Sequence, residues 1–293
     1  MRAGSRVAVV APAGPVPREA FAAGAAILSG RYTLVHEERI FARDGYLAGD
    51  DDARARELAA ALGDPAVEAI FCARGGYGLM RILDRLDAAA FARAPKLIVG
   101  FSDVTALHAW AARAGVASLH GPVVTQLGRV PAEDAAALFA LCESPSPPPP
   151  LTGLRALHGG RGEGPLVGGN LEMITRLVGT PYALPLDGAV LFLEDVGERP
   201  YRIDRQLTQL RLAGALDSLA GVVLGDFVGC VEKDGSGPDA ETVLAERLGA
   251  RGIPVVAGAP IGHGERNRAL PHGARARVDA AAGTLEFLEA AVR

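Results

Sequence analysis

The sequence is poor in lysine and tryptophan, and it contains no long apolar run. Lys96 and Lys233 are the only lysines among 30 basic residues, and 34 acidic residues leave a net charge of −4. This balance gives no basic surface of the kind that binds nucleic acid or an anionic membrane, so we expect neither as a partner. No stretch approaches the roughly 18 apolar residues that a membrane span requires.

Cysteine is also scarce, and its arrangement predicts a reducing compartment. Cys72, Cys142 and Cys230 are odd in number, lie far apart and form no C-x-x-C pair. This pattern argues against a disulfide framework or a zinc ribbon. The apolar stretch near the N-terminus, residues 7–11, is shorter than the roughly 7–15 residues of a secretory signal. We therefore expect a cytoplasmic protein.

The length of 293 residues predicts two domains, and 49% hydrophobic with 22% charged residues is typical of a globular chain. The first half alternates short apolar strands with helices, which predicts a parallel sheet covered on both faces. A proline run at 144–150 breaks this pattern. We place an N-terminal α/β domain at 1–143, a Pro- and Gly-rich linker at 144–164 and a mixed α+β domain at 165–293, ending in a hairpin.

The strands are expected at 7–11, 32–35, 67–72, 97–99, 189–193, 221–224, 254–257, 276–279 and 284–287, and the helices at 17–28, 50–62 and 104–114.

Four segments place glycine and polar residues directly after a short apolar strand, where open parallel sheets bind their ligands. The segments are 74–78, 100–105, 194–198 and 262–267. In the second, Ser102 lies at a strand-to-helix turn, which could present its hydroxyl as a nucleophile; the alternative is a helix N-cap. In the first, Gly75 and Gly76 could offer backbone N–H groups to an oxyanion, or could simply form a tight turn.

A nucleophilic serine needs a base and an acid that orients the base. Among the six histidines, His263 is the best base candidate, because it is flanked by glycines after an apolar strand. Glu194 ends a strand whose side chains should be buried, so its carboxylate needs a partner. Asp195, Glu198 and Asp226 are rival acids. No H-x-x-x-H or similar spacing is present, and we therefore predict no metal site.

Several short motifs along the chain match, in the same order, those of the serine LD-carboxypeptidases, also called murein tetrapeptide carboxypeptidases, and the sequence therefore resembles this family. The family includes the microcin C immunity peptidases. The resemblance covers essentially the whole chain, with one departure at Glu172, where we expect a small residue. The matching segments are 74–78, 100–108 with 120–122, 168–171 with 179–182, 193–198 with 201–205, and 262–264 with Asn267 and 270–271.

The resemblance implies an N-terminal Rossmann-like parallel-sheet domain and a C-terminal domain with a barrel-like β core. It implies a triad of Ser102 as nucleophile, His263 as base and Glu194 as orienting acid. The oxyanion would be met by the N–H groups of Asp103, Gly75 and Gly76. No metal or organic cofactor is implied, and family members commonly form homodimers. The residues that would bind the substrate are Arg74, Tyr77, Asn170, Arg202 and Arg205.

The implied reaction releases the terminal D-alanine from a muropeptide tetrapeptide, a step in cell-wall recycling. One alternative keeps the serine mechanism but acts on peptidyl or aminoacyl nucleotides, as in the immunity branch. An aromatic side chain that stacks on the base would favour it, but the lone tryptophan, Trp110, falls in a predicted helix. A second alternative is a two-domain module that binds a small ligand without catalysis.

Overall fold

The computed structural model describes residues 1–232, 235 and 237–292 of the chain. The chain divides into two compact units. The first contains Met1–Pro145, Arg268–Pro271 and residues 291–292, and the second contains Ser146–Asn267 and His272–Ala290. Within the described residues, no helix combines the length and the apolar character needed to cross a membrane.

Each unit is built on its own sheet, and the strands of both are numbered here in chain order. They are β1 (Arg6–Val10), β2 (Thr33–Val35), β3 (Ala69–Cys72), β4 (Leu97–Gly100), β5 (Ser118–His120), β6 (Arg155–His158), β7 (Arg161–Asn170), β8 (Val190–Val196), β9 (Gly221–Val228), β10 (Val255–Ala257), β11 (Leu270–His272), β12 (Arg275–Asp279) and β13 (Thr284–Phe287).

The helices follow the Ala- and Leu-rich segments between these strands. They are α1 (Arg18–Ser29), α2 (Asp51–Gly63), α3 (Ala88–Arg93), α4 (Thr105–Arg113), α5 (Val124–Leu127), α6 (Ala132–Glu143), α7 (Leu171–Leu177), α8 (Pro200–Leu212) and α9 (Ala240–Gly249). Short 3₁₀ turns occur at Glu38–Phe41, Leu79–Arg81, Leu83–Arg85 and Ser102–Val104. The N-terminal cap that the sequence predicts for α2 is present, because the side chain of Asp50 accepts a hydrogen bond from the N–H of Ala53.

The sheet of the first unit has the order β11-β5-β4-β3-β1-β2. From β5 to β2 every neighbouring pair is parallel. Strands β3 and β4 are apolar throughout and fully buried, as expected for a parallel sheet covered on both faces. Their carboxyl ends therefore meet at one edge of the sheet, and the segments after them carry residues 74–78 and Ser102.

The sheet of the second unit has the order β13-β12-β7-β8-β9-β10-β6 and curls into a half-barrel. Strands β7 to β10 run parallel, while β12 pairs antiparallel with both β7 and β13, and β6 pairs antiparallel with β10. The predicted fold class, a Rossmann-like parallel-sheet unit followed by a mixed α+β unit with a barrel-like core, is confirmed.

Part of the segment predicted as linker is strand. Residues 155–158 form β6, and β7 begins at Arg161. The glycines that suggested a linker are needed for close packing, because a Cβ at Gly162 would lie 1.8 Å from the carbonyl oxygen of Ala220. At Gly164 it would lie 1.9 Å from the carbonyl oxygen of Gly188. Here glycine marks a close backbone approach within a sheet rather than a flexible connection.

Candidate active site

Ser102 sits on a sharp turn between β4 and α4. Its φ of +66° is the only positive φ of a non-glycine residue in the described part of the chain. The N-cap positions of the 3₁₀ turn and of α4 belong to Phe101 and Val104, and neither caps through its side chain. Ser102 is therefore not the helix N-cap that the sequence left open. A serine held in a strained conformation between strand and helix has the backbone geometry of a nucleophile elbow.

The turn at Gly75 and Gly76 packs directly against this serine. A Cβ added to Gly75 would lie 2.8 Å from the Cβ and 3.1 Å from the Oγ of Ser102. The carbonyl oxygen of Gly75 accepts a hydrogen bond from the N–H of Gly14 at 3.0 Å. Because a trans peptide directs its C=O and N–H to opposite sides, the N–H of Gly76 points away from Gly14. The turn thus has a fixed orientation beside the serine hydroxyl.

Two buried side chains hold the end of this turn. The guanidinium of Arg54 on α2, fully buried, donates to the carbonyl oxygens of Pro12 and Gly78, the latter at 3.0 Å. The carboxylate of Asp103 accepts the N–H of Leu79 at 2.9 Å, and burial raises the pKa of Asp103 to about 6. The sequence predicts only the backbone N–H of Asp103 at the site, and it predicts no role for Arg54.

In the second unit, His263 and Glu194 form a short hydrogen-bonded pair. Nδ1 of His263 lies 2.6 Å from Oε2 of Glu194, whose side chain is completely buried, while the imidazole keeps 20% of its surface exposed. Burial alone would lower the pKa of His263, but the hydrogen bond to Glu194 and the charges of Glu194 and Asp195 outweigh it and raise that pKa above its usual value. Because Nδ1 faces the carboxylate, Nε2 is the ring nitrogen that does not contact Glu194.

The local backbone explains how this pair is assembled. The pairing of β8 with β9 shifts register between Leu193 and Asp195, so that Glu194 lies at a bulge. Gly262 has a φ of +115°, and a Cβ there would lie 2.7 Å from Oε2 of Glu194. The N–H of Gly262 donates to Oδ1 of Asn267 at 3.0 Å. The glycine lets the loop lie against the carboxylate, and Asn267 fixes the loop.

The rival acids have other partners. Asp195 accepts hydrogen bonds from Nδ2 of Asn170 and from the N–H of Glu172, each at 3.0 Å, and burial raises its pKa to about 6. Glu198 lies 3.6 Å from Nη1 of Arg202. Asp226 packs against Gly264, where a Cβ would lie 2.1 Å from Oδ2, and burial raises its pKa. Glu194 is therefore the acid that the described geometry pairs with His263.

His108 has a structural role, as its position inside a helix suggests. Its Nδ1 lies 2.8 Å from Oγ of Ser118 and its Nε2 lies 2.8 Å from the carbonyl oxygen of Gly100. Burial lowers its pKa to about 4. His108 therefore stays neutral at physiological pH and holds the end of β4 immediately before the turn that carries Ser102.

The residues predicted to bind substrate fall in both units. In the first unit, Arg74 donates to the carbonyl oxygen of Pro15 at 2.5 Å, and Tyr77 is 47% exposed. In the second, Asn170 is buried and caps α7 through its side chain, while Arg202 and Arg205 line a cleft of about 330 Å³ between α7 and α8. Sequence reasoning did not anticipate this cleft, because it depends on the packing of two helices.

Trp110 does not supply the exposed ring that the nucleotide alternative needs. It is 2% exposed and stacks on Phe91, with ring centroids 4.8 Å apart.

Two models of a known protein family match the chain. The model of the LD-carboxypeptidase N-terminal domain matches residues 7–121, and that of the LD-carboxypeptidase C-terminal domain matches residues 163–278. A Streptomyces coelicolor protein named as a carboxypeptidase by similarity is 45% identical over 295 residues, covering 96% of this chain and 93% of its own. The murein tetrapeptide carboxypeptidase of Pseudomonas aeruginosa is 34% identical, covering 92% and 91%.

A solved structure agrees as well. The muramoyltetrapeptide carboxypeptidase from Oxalobacter formigenes superposes with a TM-score of 0.84 at 30% identity, covering 96% of this chain and 97% of that one. The chain belongs to the LD-carboxypeptidase family.

Proposed function

We propose that this protein is a serine-type LD-carboxypeptidase that releases the terminal D-alanine from murein tetrapeptides. Membership of the family and the names of the Pseudomonas and Oxalobacter relatives support this reaction. The observation that carries the proposal is the 2.6 Å pair of His263 and Glu194. A buried carboxylate on Nδ1 holds an imidazole in the tautomer whose Nε2 can accept a proton, as a serine mechanism requires.

In the proposed reaction, Ser102, His263 and Glu194 act as a triad. Oγ of Ser102 attacks the carbonyl carbon of the diamino acid's L-centre, and its proton passes to Nε2 of His263. The tetrahedral intermediate collapses when His263 returns this proton to the nitrogen of the leaving D-alanine, leaving an acyl-enzyme. A water molecule, deprotonated by His263, then hydrolyses the ester and restores Ser102. Glu194 stabilises the imidazolium in both steps.

We propose that the oxyanion is met by the N–H groups of Asp103, Gly75 and Gly76. The packing of Gly75 against Ser102 and the fixed direction of its peptide support this assignment. Losing one such donor typically costs on the order of a hundredfold or more in rate.

Arg74, Tyr77, Asn170, Arg202 and Arg205 remain proposed substrate contacts. The substrate ends in a carboxylate, for which a guanidinium offers paired donors. We also propose a cytoplasmic location, supported by the free and buried state of Cys72, Cys142 and Cys230. We further propose that the chain forms a homodimer, as the family resemblance implies.

The test is release of the terminal alanine from a diaminopimelate tetrapeptide that ends in D-alanine and from its isomer that ends in L-alanine. We expect release from the first substrate only, and its loss in Ser102→Ala. Equal release from both isomers, or none, would refute the proposal. An aminoacyl sulfamoyl adenosine, added as a third substrate, tests the nucleotide alternative; its cleavage in preference to the tetrapeptide would establish that branch instead. Binding without turnover of any of the three would identify a binding module.

A further inference from the structure

Two loops of the first unit meet at the proposed oxyanion site. The β1 loop, residues 11–15, follows β1, and the β3 loop, residues 73–79, follows β3. The loops are joined by a hydrogen bond from the N–H of Gly14 to the carbonyl oxygen of Gly75, at 3.0 Å. This bond orients the peptide between Gly75 and Gly76, whose N–H is one of the proposed oxyanion donors. The positions of both loops therefore determine where that N–H points.

A single buried guanidinium bonds to both loops. Nη1 of Arg54, on α2, donates to the carbonyl oxygen of Pro12 in the β1 loop at 2.5 Å and to that of Gly78 in the β3 loop at 3.0 Å. Arg54 is fully buried, and it pairs with Asp51, one turn earlier on the same helix. Because buried polar groups are costly to leave unpaired, the guanidinium keeps the two carbonyl oxygens, and so the two loops, at a fixed spacing.

The β3 loop is shaped to receive this guanidinium. Gly78 has a φ of +133°, and a Cβ at this position would lie 2.7 Å from Nη1 of Arg54. Glycine lets the backbone approach the guanidinium this closely. One residue later, the N–H of Leu79 donates to Oδ2 of Asp103 at 2.9 Å. The end of the β3 loop is therefore held from two directions.

The β1 loop is held by the same helix through a second side chain. Glu57 follows Arg54 by three residues and so lies on the same face of α2, where it accepts the N–H of Ala11 at 2.8 Å. Further along the loop, the N–H of Ala48 donates to the carbonyl oxygen of Ala13 at 2.9 Å. Helix α2 thus fixes the β1 loop, and through Arg54 it also reaches the β3 loop.

Building on the proposed function, we propose that Arg54 is a positioning residue for catalysis: by bonding to both loops, it holds the N–H of Gly76 towards the oxyanion that forms when Ser102 attacks. The guanidinium acts only through the backbone of the two loops. The oxyanion forms in the transition state and not in the bound substrate, so a misdirected donor lowers kcat and leaves KM nearly unchanged. An arginine with a merely structural role would affect the stability of the fold but not the kcat of folded molecules.

The experiment compares the full chain with Arg54→Met and with a matched control, Lys96→Met. Lys96 is also a buried cation of the first unit, and its Nζ donates to two carbonyl oxygens, those of Asp64 and Val67, each at 2.6 Å. Lys96 precedes β4, whereas Ser102 follows the other end of this strand. The control therefore removes equivalent hydrogen bonds away from the site, and both variants should lose thermal stability.

The readout is kcat and KM for D-alanine release from the tetrapeptide. We expect Arg54→Met to lower kcat at least about tenfold with KM within about twofold, because small misplacements of a reacting group cost up to about 100-fold. Lys96→Met should keep kcat within about twofold. Wild-type kcat in Arg54→Met, an equal loss of kcat in Lys96→Met, or a loss that appears in KM alone overturns the inference.

Arg54→Lys keeps the inference testable if Arg54→Met does not fold. Lysine keeps the charge but offers one nitrogen, on a shorter side chain, for the three partners of the guanidinium. We expect it to lower kcat about threefold at unchanged KM, whereas Lys96→Arg should keep the wild-type kcat. Wild-type kcat in Arg54→Lys would then overturn the inference.

A different reaction tests Arg54 if the wild type releases no D-alanine and the proposed function fails. In labelling by a fluorophosphonate, Oγ of Ser102 bonds to phosphorus, fluoride leaves, the serine proton passes to the base, and the phosphoryl oxygen takes the position of the oxyanion. The labelling rate, corrected for the background in Ser102→Ala, should fall at least about tenfold in Arg54→Met and stay within about twofold in Lys96→Met. Equal rates in wild type and Arg54→Met, or no labelling of the wild type, overturn the inference.

Discussion

Replacing Gly262 by alanine should separate Glu194, the proposed catalytic acid, from His263 without removing either side chain. The new Cβ would lie 2.7 Å from Oε2, 2.9 Å from Cβ and 3.1 Å from Cγ of Glu194. Glu194 is completely buried, so its side chain has little room to retreat. The carboxylate must shift, and the 2.6 Å contact with Nδ1 of His263 lengthens or breaks.

The variant carries two separate costs, and a second glycine distinguishes them. An alanine at a φ of +115° is strained by about 1–2 kcal/mol whatever the space around it. Gly258, in the same unit, also has a positive φ, +90°, but a Cβ there meets nothing within 4 Å. Gly258→Ala therefore reports the backbone strain alone, and the difference between the two variants reports the collision with Glu194.

In the proposed mechanism, an imidazole without its orienting acid loses roughly 10⁴-fold in kcat, so partial displacement in Gly262→Ala should cost at least about 100-fold. We expect Gly258→Ala to lower thermal stability but to keep kcat within about twofold. The assay is D-alanine release at saturating tetrapeptide, with thermal unfolding of each variant measured alongside. A Gly262→Ala variant that keeps wild-type kcat would refute the reasoning, as would an equal loss of kcat in both variants.

Three further outcomes follow from the same geometry. The pKa of His263 is raised above 6.5, and its neutral form is the proposed base, so the acid limb of the kcat/KM profile should have its midpoint above pH 6.5. Glu194→Gln should move this midpoint to lower pH. A flat profile between pH 5 and 8 would contradict the role of His263 as the base. Asp103→Ala removes the acceptor for the N–H of Leu79 and should lower kcat roughly tenfold with little change in KM. Asp103→Asn keeps an acceptor oxygen and should retain most of the wild-type kcat. Equal losses of kcat in both variants would show that the charge of Asp103, not this hydrogen bond, matters. Ser102→Gly should abolish turnover. It should also stabilise the protein by about 1 kcal/mol in denaturant unfolding, because glycine adopts a φ of +66° without strain. A destabilised variant would argue against backbone strain at this turn.

Two residues of the candidate site could be found from the sequence because they follow strands, and the third because it continues one. Short apolar runs predicted β4, β8 and β10; Ser102 and His263 follow β4 and β10, whereas Glu194 lies within β8, which runs on to Val196. This inference needs only the local alternation of strands and helices, together with the rule that parallel sheets bind ligands at their carboxyl ends. The strand pattern alone left Glu194 among rival acids, since 69 residues separate it from His263, and only the family resemblance paired the two.

Other features escaped prediction because they depend on contacts between distant segments. Strand β6 has mostly half-exposed or exposed residues, and only its pairing with β10, about 100 residues later, makes it a strand. Arg54 looks like one more surface arginine on a helix in a sequence rich in arginine. Its burial follows from two carbonyl oxygens, those of Pro12 and Gly78, that come from different loops.

Consecutive acids on β8 show how one strand can serve two tasks. Neighbouring side chains leave a strand on opposite faces, and Glu194 and Asp195 have different partners accordingly. Glu194 reaches His263, while Asp195 binds the side chain of Asn170 and the N–H of Glu172 at the start of α7. Asp195 is therefore the link between the proposed catalytic acid and the cleft beside α7. Because the same strand fixes both, the backbone of β8 sets the position of Glu194 relative to the cleft beside α7.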